Sequence, residues 1–197
     1  GCSTGEEAYT VAILITEILE REKIPCEVNI FATDIDLEAL EEARKGYYPF
    51  SIQNEVSSER LDRFFIKKED GYEVRGSIRD KVMFAPQSII ADPPFSMLNF
   101  IVCRNLLIYL EAGTQKRIIE MFHFALQDNG HLFLGNSETI GNHGDLFKTL
   151  SRKWKIYKKL GTSRPGNIQL PLLRGGDSHN VSSRGEKPQH VKNRSLP

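Results

Sequence analysis

No apolar run in these 197 residues approaches the ~20 needed to cross a bilayer as a helix, so no membrane insertion is expected. Cysteine is scarce. Cys2, Cys26 and Cys103 are odd in number and widely spaced, with no C-x-x-C pair. That excludes a disulfide framework or zinc ribbon and fits reduced thiols in a cytoplasmic protein. The five histidines form no ligand spacing with cysteines or acids, so no metal site is expected. G-x-G-x-x-G is absent, which excludes the dinucleotide fingerprint. Net charge is absent too, with 26 basic and 26 acidic residues. From residue 161 onward six basic residues face two acidic ones, which leaves residues 1–160 mildly acidic. Binding to phosphate backbones needs a basic surface, so nucleic acid is not the expected partner.

Two further absences concern organisation. Residues 161–197 contain no Phe, Trp or Tyr but hold four of the nine prolines and five of the fifteen glycines. A disordered linker or tail is expected there. There is also no initiator Met and no signal peptide. The chain opens inside a motif, and no strand precedes its first glycine. A cofactor loop normally follows a strand in the middle of an open sheet. The expectation is therefore a fragment that lacks its first strand and neither folds fully nor acts by itself.

What is present begins with Gly1-Cys2-Ser3-Thr4-Gly5-Glu6-Glu7, a small-residue loop running into a helix over about 6–22. Thr4 with Glu7, or Ser3 with Glu6, has the spacing of a capping box. Ala8, Val11, Ala12, Ile15, Ile18 and Leu19 then recur at helical spacing. Residues 27–33 (E-V-N-I-F-A-T) read as a strand that ends at Asp34-Ile35-Asp36. Loop, helix, strand and terminal acid form a nucleotide-type cofactor site, with the acid accepting from ribose hydroxyls. Glu6 and Glu7 repel phosphate at that helix start and attract a cation, which favours a ribose cofactor with a positive group, such as S-adenosylmethionine. The alternative is that the two acids only complement the helix dipole.

Further along, a short helix over 36–45 carries Leu37 and Leu40 inward, with Gly46 in the left-handed position after it. Residues 47–50 are a loop rich in aromatics. Ser57 or Ser58 caps a helix ending near Phe64-Phe65, and residues 64–75 carry a hairpin signal around Glu69-Asp70-Gly71. This reads as a small antiparallel insertion. Strands are expected at 81–85, 97–103 and 131–135, and a helix at 113–126. Residues 153–158 (K-W-K-I-Y-K) alternate as an edge strand with its lysines in water. Alternating strands and helices indicate an α/β domain over 1–160 with a mainly parallel sheet.

Three blocks now stand in order: Cys2-Ser3-Thr4-Gly5-Glu6-Glu7, Phe31-Ala32-Thr33-Asp34-Ile35-Asp36, and Cys103-Arg104-Asn105-Leu106-Leu107-Ile108-Tyr109. Together they resemble the CheR-type chemotaxis-receptor methyltransferases, over Gly1 to about Lys159. The phrase Gly135-Asn136-Ser137-Glu138-Thr139-Ile140-Gly141 is similar to that of long hybrids that join this enzyme to a methylesterase domain and sensor domains. The resemblance implies a Rossmann-like class I methyltransferase fold and S-adenosylmethionine as cofactor. It implies glutamate side chains on the cytoplasmic part of chemoreceptors as substrate. It places Gly5 and Glu6 at the methionine side, Asp34 at the ribose, Ser88 and Ile89 against adenine, Arg104 and Asn105 along the pocket, and Tyr109 at the methyl-transfer point. It also implies that the inserted β unit docks substrate proteins.

This chain departs from the family pattern at Ser88, where asparagine is usual, at Ala8 in place of proline, and at Asn99 in place of aspartate. A serine at position 88 has no amide to pair with adenine, which weakens the expected contact. Alternative readings stand beside the assignments. Arg104 is either in the pocket or a strand-end residue paired with an acid, and Tyr109 either in the site or in the core. Asp36 either shares the ribose or caps the next helix. Glu138 faces the substrate groove or solvates a loop, and Cys103 reads as a buried apolar residue rather than a nucleophile. Methyl transfer to a glutamate, already ionised with a pKa near ~4.3, needs no general base. The lack of a Ser/His/Asp or Cys/His grouping therefore fits. The competing functions are a methyltransferase acting on a small molecule or RNA, and a non-catalytic docking module with the same fold.

Overall fold

A computed structural model describes residues 1–162 of the chain. The expected tail lies, but for its first two residues, outside the described residues. The elements alternate as the periodicities indicate. Helix α1 (Glu6–Arg21) leads to strand β1 (Ile30–Asp34), helix α2 (Leu37–Lys45) and β2 (Tyr47–Pro49). Helix α3 (Ser58–Phe64), β3 (Phe65–Lys67), β4 (Gly71–Val74) and the single turn α4 (Gly76–Arg79) follow. Then come β5 (Val82–Pro86), β6 (Leu98–Cys103), α5 (Ala112–Ala125), β7 (Leu126–Leu134), β8 (Phe147–Ser151) and β9 (Ile156–Lys159).

The main sheet is in two pieces. β1 pairs in parallel with β5, and a second sheet has the order β6-β7-β9-β8. In the second, β6 and β7 are parallel and β9 runs antiparallel to β7 and β8. β1 and β6 each keep one edge without a strand partner among the described residues. The loop before α1 lies across the carboxyl ends of both. The backbone nitrogens of Gly1 and Cys2 donate to the Thr33 carbonyl (2.7 and 3.0 Å), and Gly1 lies against the Leu106 side chain beyond β6.

Each piece has its own core. α1, α2 and the insertion cover one face of β1 and β5 around Ala12, Leu40, Ala43, Phe84 and Val74. α5 covers the other sheet around Ile119, Leu126, Leu132, Leu134 and Phe147. Burial of such side chains, roughly 1.5–3 kcal/mol each, is the main favourable contribution in both.

Local signals explain the element ends. Gly46, at φ 59, closes α2 by donating to the carbonyls of Glu42 and Ala43. Asp36 caps the same helix, its carboxylate accepting from the N–H groups of Glu38 and Ala39, and Ser57 caps α3.

Leu40 of α2 is buried as expected but Leu37 is 60% exposed, and three further expectations are corrected. Neither capping box forms at α1. The N-cap is Gly5 in the left-handed conformation (φ 90), with no side-chain cap, and Thr4 Oγ1 donates to the Glu6 carboxylate instead. The insertion is a three-stranded antiparallel sheet in the order β2-β4-β3, not a hairpin alone, because Tyr47–Pro49 pairs with β4. The segment expected at the sheet edge is interior. β9 lies between β7 and β8, so residues 156–158 are paired on both sides, while Lys153 stays exposed in the turn before them. The next residue, Lys159, is 4% exposed and donates to the Leu126 carbonyl (2.6 Å).

Candidate functional site

The chemistry-bearing residues gather at the carboxyl ends of β1, β5 and β6, where loops leave an open α/β sheet. Asp34 ends β1. Its Oδ2 accepts from the Ser3 N–H (2.7 Å), and its Oδ1 from the N–H groups of Ile35 (2.7 Å) and Asp36 (3.1 Å). Partial burial works to raise its pKa, but the N–H groups of Ser3, Asp36 and Ile35 outweigh it and hold the carboxyl below its ordinary value. The charge is thus fixed at neutral pH. The side chain keeps 15% exposure, and a carboxylate has room for about four hydrogen bonds, so it can still accept from a ligand.

Gly5 is buried behind this loop. A side chain there would meet Ala43 Cβ at 2.9 Å and the Phe84 ring at 3.0 Å, and its φ of 90 disfavours any other residue. Close packing of α1 on α2 and β5 is the observed demand for this glycine. The Tyr48 hydroxyl, reaching from β2, donates to the Thr4 carbonyl (2.8 Å), so the insertion props up the loop. Burial and then the Glu6 charge push its phenol pKa up, which keeps it a neutral donor. Composition marked this stretch only as aromatic-rich, and the role of Tyr48 had no sequence signal of its own.

Arg104 follows β6. Its Nη1 donates to Glu7 Oε1 (2.5 Å) and its guanidinium lies over the Phe133 ring (5.1 Å). The pairing with an acid is therefore real, and the acid is Glu7. The arginine is not thereby used up, because its buried Nε has no hydrogen-bond partner among the described residues. An orphaned buried donor is costly, which makes it a candidate for a ligand acceptor. Glu6 is exposed beside Thr4. Asn105 has φ 58, an uncommon conformation for a non-glycine residue.

The turn after β5 abuts Asp34, since the Gln87 N–H donates to the Asp34 carbonyl (3.0 Å). Ser88 sits inside that turn. Its N–H donates to Asp92 Oδ2 (2.7 Å) and its hydroxyl accepts from the Ala91 N–H (3.2 Å). Ile89 is half-buried against the core of the second sheet. Ile35, 74% exposed directly after Asp34, is an apolar surface beside the ribose-type acid that sequence reasoning passed over. A large apolar residue set between two acids, Asp34-Ile35-Asp36, was the available signal.

Tyr109 ends a short 3-10 turn (Leu107–Tyr109) and is 80% exposed, so it is not a core residue. Cys103 is buried, and burial first and then the Glu138 charge push its thiol up to about 12. A neutral thiol at that position is no nucleophile. Glu138 is 4% exposed and turned into the protein between two loops, which excludes a solvated loop position.

The chain matches the family described as CheR methyltransferase, SAM binding domain, over residues 1–156. It is a member of that family. The CheR-family chain is 34% identical to the chemotaxis protein methyltransferase of Escherichia coli over 149 residues, 71% of this chain and 50% of that protein. It is 32% identical to that of Borreliella burgdorferi, over 74% of this chain and 53% of the other. An uncharacterized 104.1 kDa protein of Rhodobacter capsulatus is 37% identical over 89% of this chain, which is 18% of that protein. The chain thus spans about half the length of the chemotaxis methyltransferases it matches. Among solved structures, a TehB-like SAM-dependent methyltransferase from Corynebacterium glutamicum aligns with a TM-score of 0.46 and 10% identity, over 83% of this chain and 77% of the other.

Membership makes S-adenosylmethionine the cofactor to test against the geometry. The cradle at the seam fits it. Asp34 is an ionised acceptor, Glu6 and Glu7 put negative charge at the start of α1, and Arg104 holds an uncommitted donor.

Proposed function

We propose that this CheR-family domain serves S-adenosylmethionine-dependent methylation of glutamate carboxylates on the cytoplasmic part of chemoreceptors. The observation that carries the reading is the meeting of Asp34 and Arg104 from two separate sheets across one loop. In this reading Asp34 accepts from the ribose hydroxyls and Glu6 faces the cofactor ammonium. Gly5 shapes the loop, Ser88 and Ile89 flank the adenine, and Arg104 and Asn105 line the pocket. When bound, the cofactor supplies an electrophilic methyl on a sulfonium.

The protein's part is placement. A glutamate acceptor is already ionised at neutral pH, so no residue has to remove a proton. Holding the reactants in line supplies several kcal/mol, and excluding water from the carboxylate helps further. The Arg104 guanidinium, held by Glu7, orients the acceptor carboxylate or neutralises charge near the cofactor. Tyr109, exposed at the rim, donates to the incoming carboxylate oxygen. The insertion sheet is the docking surface for the receptor, with its β3–β4 turn outermost.

Methylation of a receptor cytoplasmic fragment with methyl-labelled cofactor tests this. Label in base-labile carboxyl esters is the expected result, and incorporation into small molecules or none at all overturns it. Removing residues 68–71, whose Lys68 pairs with Glu73 at the sheet surface (2.9 Å), is expected to lower receptor methylation and leave cofactor affinity unchanged.

A further inference from the structure

The Glu138 side chain lies between the loops that leave β6 and β7. Oε1 accepts from the N–H groups of Leu106 (2.9 Å) and Leu107 (2.7 Å). Oε2 accepts from those of Asn105 (3.1 Å) and Gly135 (2.6 Å). The Glu138 N–H donates back to the Gly135 carbonyl (2.9 Å), which closes its own loop under the side chain. Three consecutive N–H groups are thus gathered by one carboxylate 31 to 33 residues away in sequence. Hydrogen bonds to an ionised acceptor are about twice as strong as neutral ones, and stranding buried donors is costly.

Two details show how closely the loops are fitted. A side chain at Gly135 would lie 2.6 Å from Asn105 Oδ1 and 2.7 Å from Glu138 Oε2, so only glycine permits the approach. Asn105 has φ 58, in the left-handed region that asparagine visits more readily than most residues. The carboxylate holds the Asn105 N–H in that conformation (3.1 Å). Arg104 comes immediately before the gathered segment, and Tyr109 two residues after it.

We infer that Glu138 is a positioning residue, whose buried carboxylate fixes the backbone of residues 105–107 so that Arg104, Asn105 and Tyr109 present to the site. The inference rests on the proposed function of that site. A plain loop staple would secure the fold without any effect on ligand geometry, and the two roles separate experimentally.

The test uses Glu138→Gln in the full-length protein, with Ile78→Val in the core of the other sheet as a generally destabilising control. Three quantities are read at a temperature where far-UV circular dichroism is native: amide hydrogen exchange without ligand, the dissociation constant for S-adenosylmethionine, and kcat against KM for the receptor fragment. The glutamine amide turns a donor toward donors. Exchange at residues 105–107 is expected to rise about tenfold or more with α2 unchanged, and cofactor affinity to fall about tenfold, as for loss of a charged hydrogen bond. kcat is expected to fall with little change in acceptor KM. The control should shift the midpoint of unfolding and leave the dissociation constant alone.

If Glu138→Gln does not fold cooperatively, Gly135→Ala, which forces Asn105 and Glu138 apart, is read in the same way. Raised exchange at 105–107 with wild-type affinity and kcat overturns the positioning role while the functional reading survives. A wild-type protein that binds no cofactor overturns both. Unchanged exchange at 105–107 shows that the carboxylate does not hold the loop.

Discussion

Asp34 and Glu138 stand on opposite sides of the seam in the sheet, and each gathers backbone N–H groups. Asp34 takes three, keeps some exposure and sits at the end of a thin two-stranded piece. Glu138 takes four, is buried, and belongs to the four-stranded piece. The surroundings differ in the same sense. Met83 and Phe31, paired across β5 and β1, are 61% and 43% exposed, whereas Leu132 and Leu134 on β7 are fully buried. The same chemical device therefore serves two ends. On the thin side a carboxylate organises the loop and stays available to a ligand. On the thick side a carboxylate is saturated by backbone N–H groups and serves the loop only, beside Gln115, whose side-chain amide holds the Leu107 and Leu110 carbonyls.

The largest effect that sharpens this contrast is on stability. Leu132→Ala is expected to cost ~2–5 kcal/mol, while Met83→Ala, on the open face, stays within ~0.5 kcal/mol. Urea denaturation of both variants checks it, and equal losses would break the distinction between thick and thin sides. Next in size, Asp34→Ala is expected to weaken S-adenosylmethionine binding by ~1–3 kcal/mol, as for loss of a charged acceptor. An unchanged dissociation constant removes Asp34 from the ligand.

Asp34 also predicts a pH response. Its folded pKa lies below the ordinary 3.8. Its contribution to stability is therefore complete above about that value and is lost as pH falls through the lower folded one. Thermal midpoints between pH 5 and pH 2 should fall less steeply in Asp34→Asn than in the wild type. Identical acid limbs would contradict the lowered pKa. The smallest effect is at the surface. Arg60 bridges Glu17 through two bonds (2.8 and 2.7 Å), linking α3 to α1. Glu17→Gln should cost no more than ~1 kcal/mol and less in high salt.

Much of the architecture was legible because local signals agree with burial. α1, α2 and α5 stand where apolar spacing placed them, although Leu37, read as inward, and Ile18, in the α1 repeat, are 60% and 46% exposed. Gly46, Asp36 and Ser57 mark ends by chemistry that acts within four residues. The misses share a cause, which is that the deciding partner is remote in sequence. Nothing in 47–49 announces that these residues pair with β4. The alternation of 153–158 is the same whether a strand lies at an edge or inside, and only the unforeseen β8 makes β9 interior. Lys159 is buried only because folding brings the Leu126 carbonyl to it. At the site, Asp34 was readable from its place at a strand end. Glu138 was not, since its role depends on N–H groups that only folding brings within reach.

Calorimetric titration of S-adenosylmethionine into the full-length protein is the most direct test of the central claim that the loops of both sheets build one cofactor site. Saturable binding at one site with micromolar affinity is the predicted result. No heat of binding at millimolar cofactor would contradict it and leave the fold as a docking module.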